Sequence, residues 1–279
     1  MSHRFALLLA VLAGLAAAPA FAKPPEVFIP GFWDPQAVPV KPEFEPGTTI
    51  RFVTADDYPP FNSARPDGSL TGFNVDLARA ICDELGATCT VQARPWGDLV
   101  PALEAEQADA AIASLAITAA ARRTADFTRP YYRTPARFVA RTTETLDAPS
   151  PTALAGRTVA VAAGTAQEAY LKAFFPKATL LPQPNPDVAR AALKDGKADF
   201  LFDDGVGAAI WLGSDAAAGC CALKGGPYTE SRFLGEGAGI AVRKGDTTLR
   251  RALDYALARL TRKGIYADLY LKYFPIGFY

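Results

Sequence analysis

Two pairs of adjacent acids, Asp56-Asp57 and Asp203-Asp204, are the residues of this 279-residue chain whose types and spacing come nearest to a reactive site. Paired carboxylates can divide acid and base roles, or they can hold a cation. Neighbours in a strand project to opposite faces, so neither pair is set to work on one reacting atom. Each acid reads instead as a turn, helix-cap or ligand-holding residue. Nucleophilic chemistry has less support. The sole histidine is His3, no GxSxG elbow occurs, and Gly235, Gly237 and Gly239 do not complete a GxGxxG loop. The cysteines, Cys82, Cys89, Cys220 and Cys221, contain no CxxC pair, which leaves a zinc site without a ligand set. Three disulfide pairings are open to them, and sequence spacing does not choose among the three.

The amino-terminal segment stands apart from these residues. Arg4 precedes an apolar run from Phe5 to about Ala18, and Ala20-Phe21-Ala22 supplies the small residues of a signal-peptidase site. The run is shorter than the roughly 20 apolar residues of a membrane span. Residues 1–22 are therefore read as a cleaved leader, with Lys23 as the first mature residue and the oxidising periplasm as destination. Loss of Arg4 leaves the cations one short of the 29 acids, a formal net charge of −1. That balance gives no electrostatic case for nucleic acid or an anionic membrane as partner.

The elements that must position the acids follow from the hydrophobic period. Ile50–Thr54, Cys89–Ala93, Ala110–Leu115, Thr158–Ala162 and Asp199–Phe202 read as strands. Phe73, Leu77, Ile81 and Leu85 form one helical stripe stopped by Gly86. Further helices are predicted at Asp98–Glu106, Thr165–Phe175, Asp187–Lys194, Gly205–Leu212, Thr247–Leu260 and Gly264–Phe274. This βαβ alternation gives an α/β fold of mostly parallel sheets covered by helices. Residues 23–47 differ: seven prolines with Phe28, Phe32, Trp33 and Phe44 between them form an extended arm, read as lying on its own domain rather than docking a partner.

TADDYPPF at 54–61, GFNVDLARAICDELG at 72–86, CTVQARPWGDLVPAL at 89–103, ADAAIASLAIT at 108–118 and ADFTRPYY at 125–132 follow one another in order. That succession resembles the first lobe of the family 3 periplasmic solute-binding proteins, the polar amino acid type serving ABC transporters. The resemblance covers roughly 48–275. It implies a periplasmic binding protein-like fold in which two βαβ lobes, 48–140 with 241–279 and 141–240, are joined by a two-strand hinge around a cleft. Such lobes close on a ligand by hinge bending.

The resemblance also assigns a site. Tyr58 and Trp96 would sandwich the ligand, where a cation gains attraction to the rings. Ser114, Leu115, Ala116 and Thr118 match the segment that receives an α-carboxylate, and Thr118 also fits a helix N-cap. Three residues later the family pattern places an arginine, and this chain has Ala121, with Arg122 and Arg123 shifted along the turn. In the second lobe Thr165, Ala166 and Gln167 match the turn that aims N–H groups into the cleft. Asp204 matches the acid for the ligand's ammonium, and it also fits a helix N-cap. Some basic amino acid binding members bridge the equivalents of Cys82 and Cys89, which selects that pairing here.

The function implied is capture of a small polar or amphipathic molecule for an ABC permease by a monomer, without cofactor or catalysis. With no arginine at 121, the ligand is expected not to be a standard α-amino acid in the usual pose. Two alternatives stand beside it: an accessory protein of a periplasmic dehydrogenase system on the same fold, and a cyclohexadienyl dehydratase-like enzyme.

Overall fold

Strand and helix alternate through a computed structural model that describes residues 47–274 and 277–279, with 29, 31, 32, 40 and 42–45 of the preceding segment. The predicted leader and most of the predicted arm lie outside the described residues. From its start the chain forms β1 (Thr49–Thr54), the short β2 (Asp57–Tyr58), β3 (Asn62–Ala64) and β4 (Leu70–Thr71), then α1 (Phe73–Leu85) and β5 (Thr88–Ala93). A 3₁₀ turn at Trp96–Asp98 leads to α2 (Leu99–Glu104) and β6 (Ala110–Ala111), and a second at Ala121–Arg123 leads to β7 (Ala125–Phe127). Next come β8 (Ala136–Arg141), β9 (Thr158–Ala162), α3 (Ala166–Phe174), β10 (Thr179–Gln183) and α4 (Pro186–Lys194). After β11 (Phe200–Asp204), α5 (Gly205–Leu212), β12 (Cys221–Tyr228) and α6 (Ser231–Leu234), the chain ends with β13 (Ala241–Arg243), α7 (Thr247–Arg262) and α8 (Ile265–Tyr273).

Two five-stranded sheets result, in the orders β5-β1-β6-β13-β7 and β10-β9-β11-β8-β12. Within each, the strands of the βαβ units are parallel, and the crossing strands β13 and β8 run antiparallel to both neighbours. The fold is thus a two-lobed α/β architecture with two crossings between the sheets. A third, small sheet of β2, β3 and β4 hangs from the end of β1.

The helices form where their apolar stripes and caps dictate. Phe73, Leu77 and Ile81 of α1 are fully buried against β1, α7 and α8, and Gly86 closes the helix at φ 65°. Asn185 caps α4 by accepting the Val188 N–H, with Pro186 at the first helical position. Gly72, at φ 123°, sits where an added Cβ would lie 2.3 Å from the Phe61 carbonyl oxygen, so only glycine lets β4 turn into α1. Ile29, Phe32 and Phe44 of the proline-rich segment pack on this first core, whereas Val40 is exposed.

The predicted strand Ala110–Leu115 is shorter, ending at Ala111, because the backbone turns away before Ser114, which takes the left-handed φ of 62°. Strand β10 and the bulged strand β12 were not anticipated; Pro182 and Gly225-Gly226-Pro227 mask their pattern. The structure bonds Cys82 to Cys89, Cα atoms 6.0 Å apart, tying α1 to β5. It also bonds the adjacent Cys220 and Cys221 at the start of β12, Cα atoms 3.7 Å apart.

Candidate functional site

The end of β1 and the loops beside it build one wall of a cavity of about 380 Å³, lined by Asp57, Tyr58, Trp96, Ala113, Ser114 and Tyr132. Its floor is a stack of rings. Tyr58 lies face to face on Phe61 at 5.1 Å, and Phe61 on Tyr132 at 4.8 Å, with Phe61 itself buried. Stacking from beneath fixes the Tyr58 ring while 45% of the residue stays open to the cavity. Trp96 begins the 3₁₀ turn after Pro95, held by the Asp98 N–H donating to the Pro95 carbonyl at 2.9 Å, and it is 53% exposed. Two large, half-open aromatic faces on one cavity are unusual on an otherwise apolar-inside surface, and they mark a place for a flat or aliphatic ligand.

Ser114 is fixed by a buried polar network. Its N–H donates to the Tyr131 hydroxyl at 3.1 Å, its Oγ accepts from Asn74 Nδ2 at 3.1 Å, and the Tyr131 hydroxyl donates to Asn74 Oδ1 at 2.8 Å. Asn74 Nδ2 also donates to Asn62 Oδ1 at 2.7 Å. The network, which the Tyr132 hydroxyl joins through a hydrogen bond with the Ser114 side chain, holds the uncommon positive φ of Ser114. Burial drives the phenols of Tyr131 and Tyr132 well above the usual tyrosine range, so both stay protonated donors.

Leu115, Ala116 and Thr118 do not line the cavity. Leu115 is buried in the core, and Ala116 bridges to Ala238. The Thr118 hydroxyl accepts the Ala121 N–H at 3.0 Å and closes a local turn, while the 3₁₀ turn that follows is entered at Ala120 with no side-chain cap, so Thr118 is not the helix N-cap its position suggested. Ala121 packs on the same core, while Arg122 turns outward to a half-exposed pair with Glu236 at 2.7 Å. No lysine or arginine lines the cavity.

From the second sheet, Thr165 caps α3. Its Oγ1 accepts the Glu168 N–H at 3.3 Å and donates to the Ala162 carbonyl at 2.7 Å, and Gly164 at φ 73° sends its N–H to Glu168 at 2.7 Å. Ala166 and Gln167, half-buried, open the helix. Asp204 caps α5 by accepting the Gly207 N–H at 2.8 Å. Burial pushes its carboxyl up to about 6, against the pull of that N–H and with the Asp203 charge adding to the rise. The two acids of this pair have parted roles, as strand alternation requires: Asp203 turns inward to Arg190 Nε at 2.8 Å. Burial of the Tyr58 phenol and, after it, the charge of Asp204 raise the Tyr58 pKa, and the same charge acts on Tyr132. Asp204 thus lies within electrostatic reach of the ring floor of the first sheet.

The cavity brings together Tyr58, Trp96 and Ser114 of the sequence-predicted site. It adds Asp57, Ala113 and Tyr132. Asp57 is among the acids whose pairing reads as a turn, helix-cap or ligand-holding residue, without a place in the expected site; its position next to Tyr58 was the signal available. Among the described residues no group of histidine, cysteine, aspartate and glutamate could hold a metal ion.

The chain is similar to curated binding proteins. The L-arginine-binding protein of Pseudomonas aeruginosa is 34% identical over 85% of this chain and 92% of its own length. The ABC transporter arginine-binding protein 1 of Escherichia coli (strain K12) is 30% identical over 81% of this chain and 90% of its own. A solved structure of an ancestral cationic amino acid solute binding protein, 29% identical, superposes with a TM-score of 0.64 over 81% of this chain and 95% of that one. Residues 50–276 match the family model of the bacterial extracellular solute-binding proteins, family 3, and the chain belongs to that family.

Proposed function

We propose that this protein is the periplasmic receptor of an ABC importer for a small organic cation. The observation that carries the reading is the pair of half-open rings, Tyr58 and Trp96, on a cavity whose lining holds a carboxylate and no base. A cation between the two faces gains about 0.5–2 kcal/mol from each ring, more as water is excluded. Asp204 faces the same floor from the second sheet and takes a donor group once the lobes close. Ser114 supplies a hydroxyl, and Thr165, Ala166 and Gln167 present the amino-terminal end of α3. The lobes in this reading are 48–140 with 241–279 and 141–240, and the leader 1–22 delivers the chain to the periplasm, where it acts as a monomer. The relatives named for arginine support the cationic class.

The ligand is not expected to be an α-amino acid held through an arginine at 121, because Ala121 has no charge and Arg122 is paired with Glu236. Thermal unfolding of the mature protein against amino acids, amines, sugars and organic acids tests the reading. A ligand at 100 times its Kd stabilises by about 2.7 kcal/mol. Cations are expected to raise Tm in the wild type and not in the Trp96→Ala, Asp204→Ala double variant. Stabilisation by sugars or acids alone would overturn the reading.

A further inference from the structure

Asp57 is an acid on the cavity wall with nothing to neutralise it. It stands beside Tyr58 in β2, lines the cavity, and has no hydrogen-bond or ion-pair partner for its carboxylate among the described residues. Several acids of the first sheet's lobe are engaged, Asp109 with Arg51 at 2.7 Å, Asp76 with Lys272 at 2.6 Å, Asp126 with Lys244 at 2.6 Å and Glu84 with Arg259 at 3.1 Å; Asp57 differs from the lobe's other acids in lining the cavity. The second acid, Asp204, comes from the opposite sheet, at the start of α5, and acts electrostatically on Tyr58 and Tyr132. The cavity beside Asp57 is lined by aromatic faces and by no basic side chain, and on the Asp204 side Arg190 is engaged by Asp203 at 2.8 Å.

We propose that Asp57 is a second cation subsite, and that the ligand is a dication without a carboxylate: an aliphatic diamine or guanidino-amine, its chain between Tyr58 and Trp96, one charge at Asp57 and the other toward Asp204. The inference rests on the reading of the cleft as a cation site and names the class of cation. A monocation held at Asp204 leaves the Asp57 carboxylate, which no described residue partners, facing a closing, drying cleft, and one held at Asp57 leaves Asp204 with only its helix-cap N–H groups, which is costly. An amino acid zwitterion brings a third carboxylate into a space that offers it no cation. A dication meets both acids, and its methylenes match the apolar ring faces.

Calorimetric titration of the mature full-length protein with agmatine, putrescine, butylamine and arginine tests this, in the wild type and in the Asp57→Asn and Trp96→Ala variants. Agmatine or putrescine is expected to bind at least tenfold tighter than butylamine, and arginine at least tenfold more weakly than agmatine. Asp57→Asn is expected to cost the dications tenfold or more and butylamine less than threefold. Its Tm should equal that of the wild type, since the Asp57 carboxylate holds nothing in the fold. Arginine binding as tightly as agmatine, or unchanged dication affinity in Asp57→Asn, would overturn the proposal. Equal affinities for butylamine and agmatine, both lost in Trp96→Ala, would sink the dication inference while keeping the cation reading. Absence of binding by every one of these compounds would remove both.

Discussion

If the proposed cation site is right, Asp204 should make binding depend on pH in a window where ordinary aspartates are silent. Burial holds its carboxyl up to about 6, where an unperturbed aspartate sits at 3.8. A cation needs the ionised form, so the apparent Kd grows with the protonated fraction of the free protein. With a pKa of about 6 the weakening is roughly tenfold at pH 5 and about a tenth of the Kd at pH 7. The tenfold loss is about 1.4 kcal/mol. An aspartate at 3.8 would lose almost nothing over that range. Burial holds Tyr58 and Tyr132 above the tyrosine range, and Arg190 is engaged by Asp203 at 2.8 Å. Asp203 is also raised by burial, opposed by Arg190, so Asp204→Asn is the control that separates the two. Asparagine keeps the cap on α5. Titration of agmatine at pH 5, 6 and 7 should show the loss in wild type and a flat profile in Asp204→Asn. A flat wild-type profile would refute the burial argument, and a slope surviving in Asp204→Asn would move it to Asp203. Stability has its own sign. Since the folded pKa lies above the unfolded one, the contribution of Asp204 to the apo fold is fully present below about pH 4 and lost as pH rises through about 6. The same group therefore favours folding in acid and binding near neutrality.

Four further outcomes follow. Trp96→Ala should weaken the preferred cation by about 1–2 kcal/mol and leave Tm nearly unchanged, because the ring is 53% exposed; calorimetry and unfolding together check it. Ala121→Arg should raise the affinity for arginine relative to agmatine at least tenfold, within the roughly 2–5 kcal/mol of a buried charge-assisted contact, and an unchanged ratio would show that residue 121 does not face the ligand. Gly72→Ala should destabilise by about 3 kcal/mol or more in urea unfolding, since its Cβ would meet the Phe61 carbonyl oxygen at 2.3 Å with φ at 123°. Replacing Cys82 and Cys89 together by alanine should cost about 2.5 kcal/mol from the freed loop, plus the packing of the buried Cys82, in the same assay.

Much of the architecture was legible because local signals agreed with global packing. The stripe Phe73, Leu77 and Ile81 is buried as its spacing requires, and Gly86 stops α1 in the left-handed conformation. Asp204 carried a cap signal and makes the capping hydrogen bond on α5; Thr165 caps α3 though it was read only as part of a glycine–hydroxyl turn, and Thr118, also read as a cap, closes a local turn instead. Alternation separated Asp203 from Asp204 correctly, because β11 is long enough for its period of two to hold. The same rule hid Asp57: β2 has only two residues, both exposed, and its small sheet offers no buried face to set against an open one. Tyr132 was hidden for another reason. Its ring reaches the cavity only through the stack on Phe61, a contact across 71 residues that no local pattern encodes. Ser114 shows the limit from the opposite direction. Its strand pattern predicted continuation to Leu115, and a tertiary network to Asn74 and Tyr131 turned the backbone first.

Alanine at 121 acts twice on specificity if the arginine of the family pattern would otherwise stand there. A guanidinium close to Ser114 would attract a ligand carboxylate, and it would also repel each ammonium of a dication. At about 7 Å and an effective dielectric near 20, that repulsion is about 2.4 kcal/mol per charge. Removing it therefore disfavours zwitterions by the lost contact and favours dications by the lost repulsion. Arg122 cannot restore the first term without releasing Glu236, an exposed pair of small worth by itself, so what holds Arg122 away is chiefly the direction the 3₁₀ turn gives its side chain. In the proposed reading, Asp57 and Asp204 set the sign of the cleft, and the residue at 121 sets which of two cationic classes that sign admits. A double variant, Ala121→Arg with Asp57→Asn, should convert preference from agmatine to arginine more completely than either change alone, and the two effects should add if they act on opposite ends of the ligand.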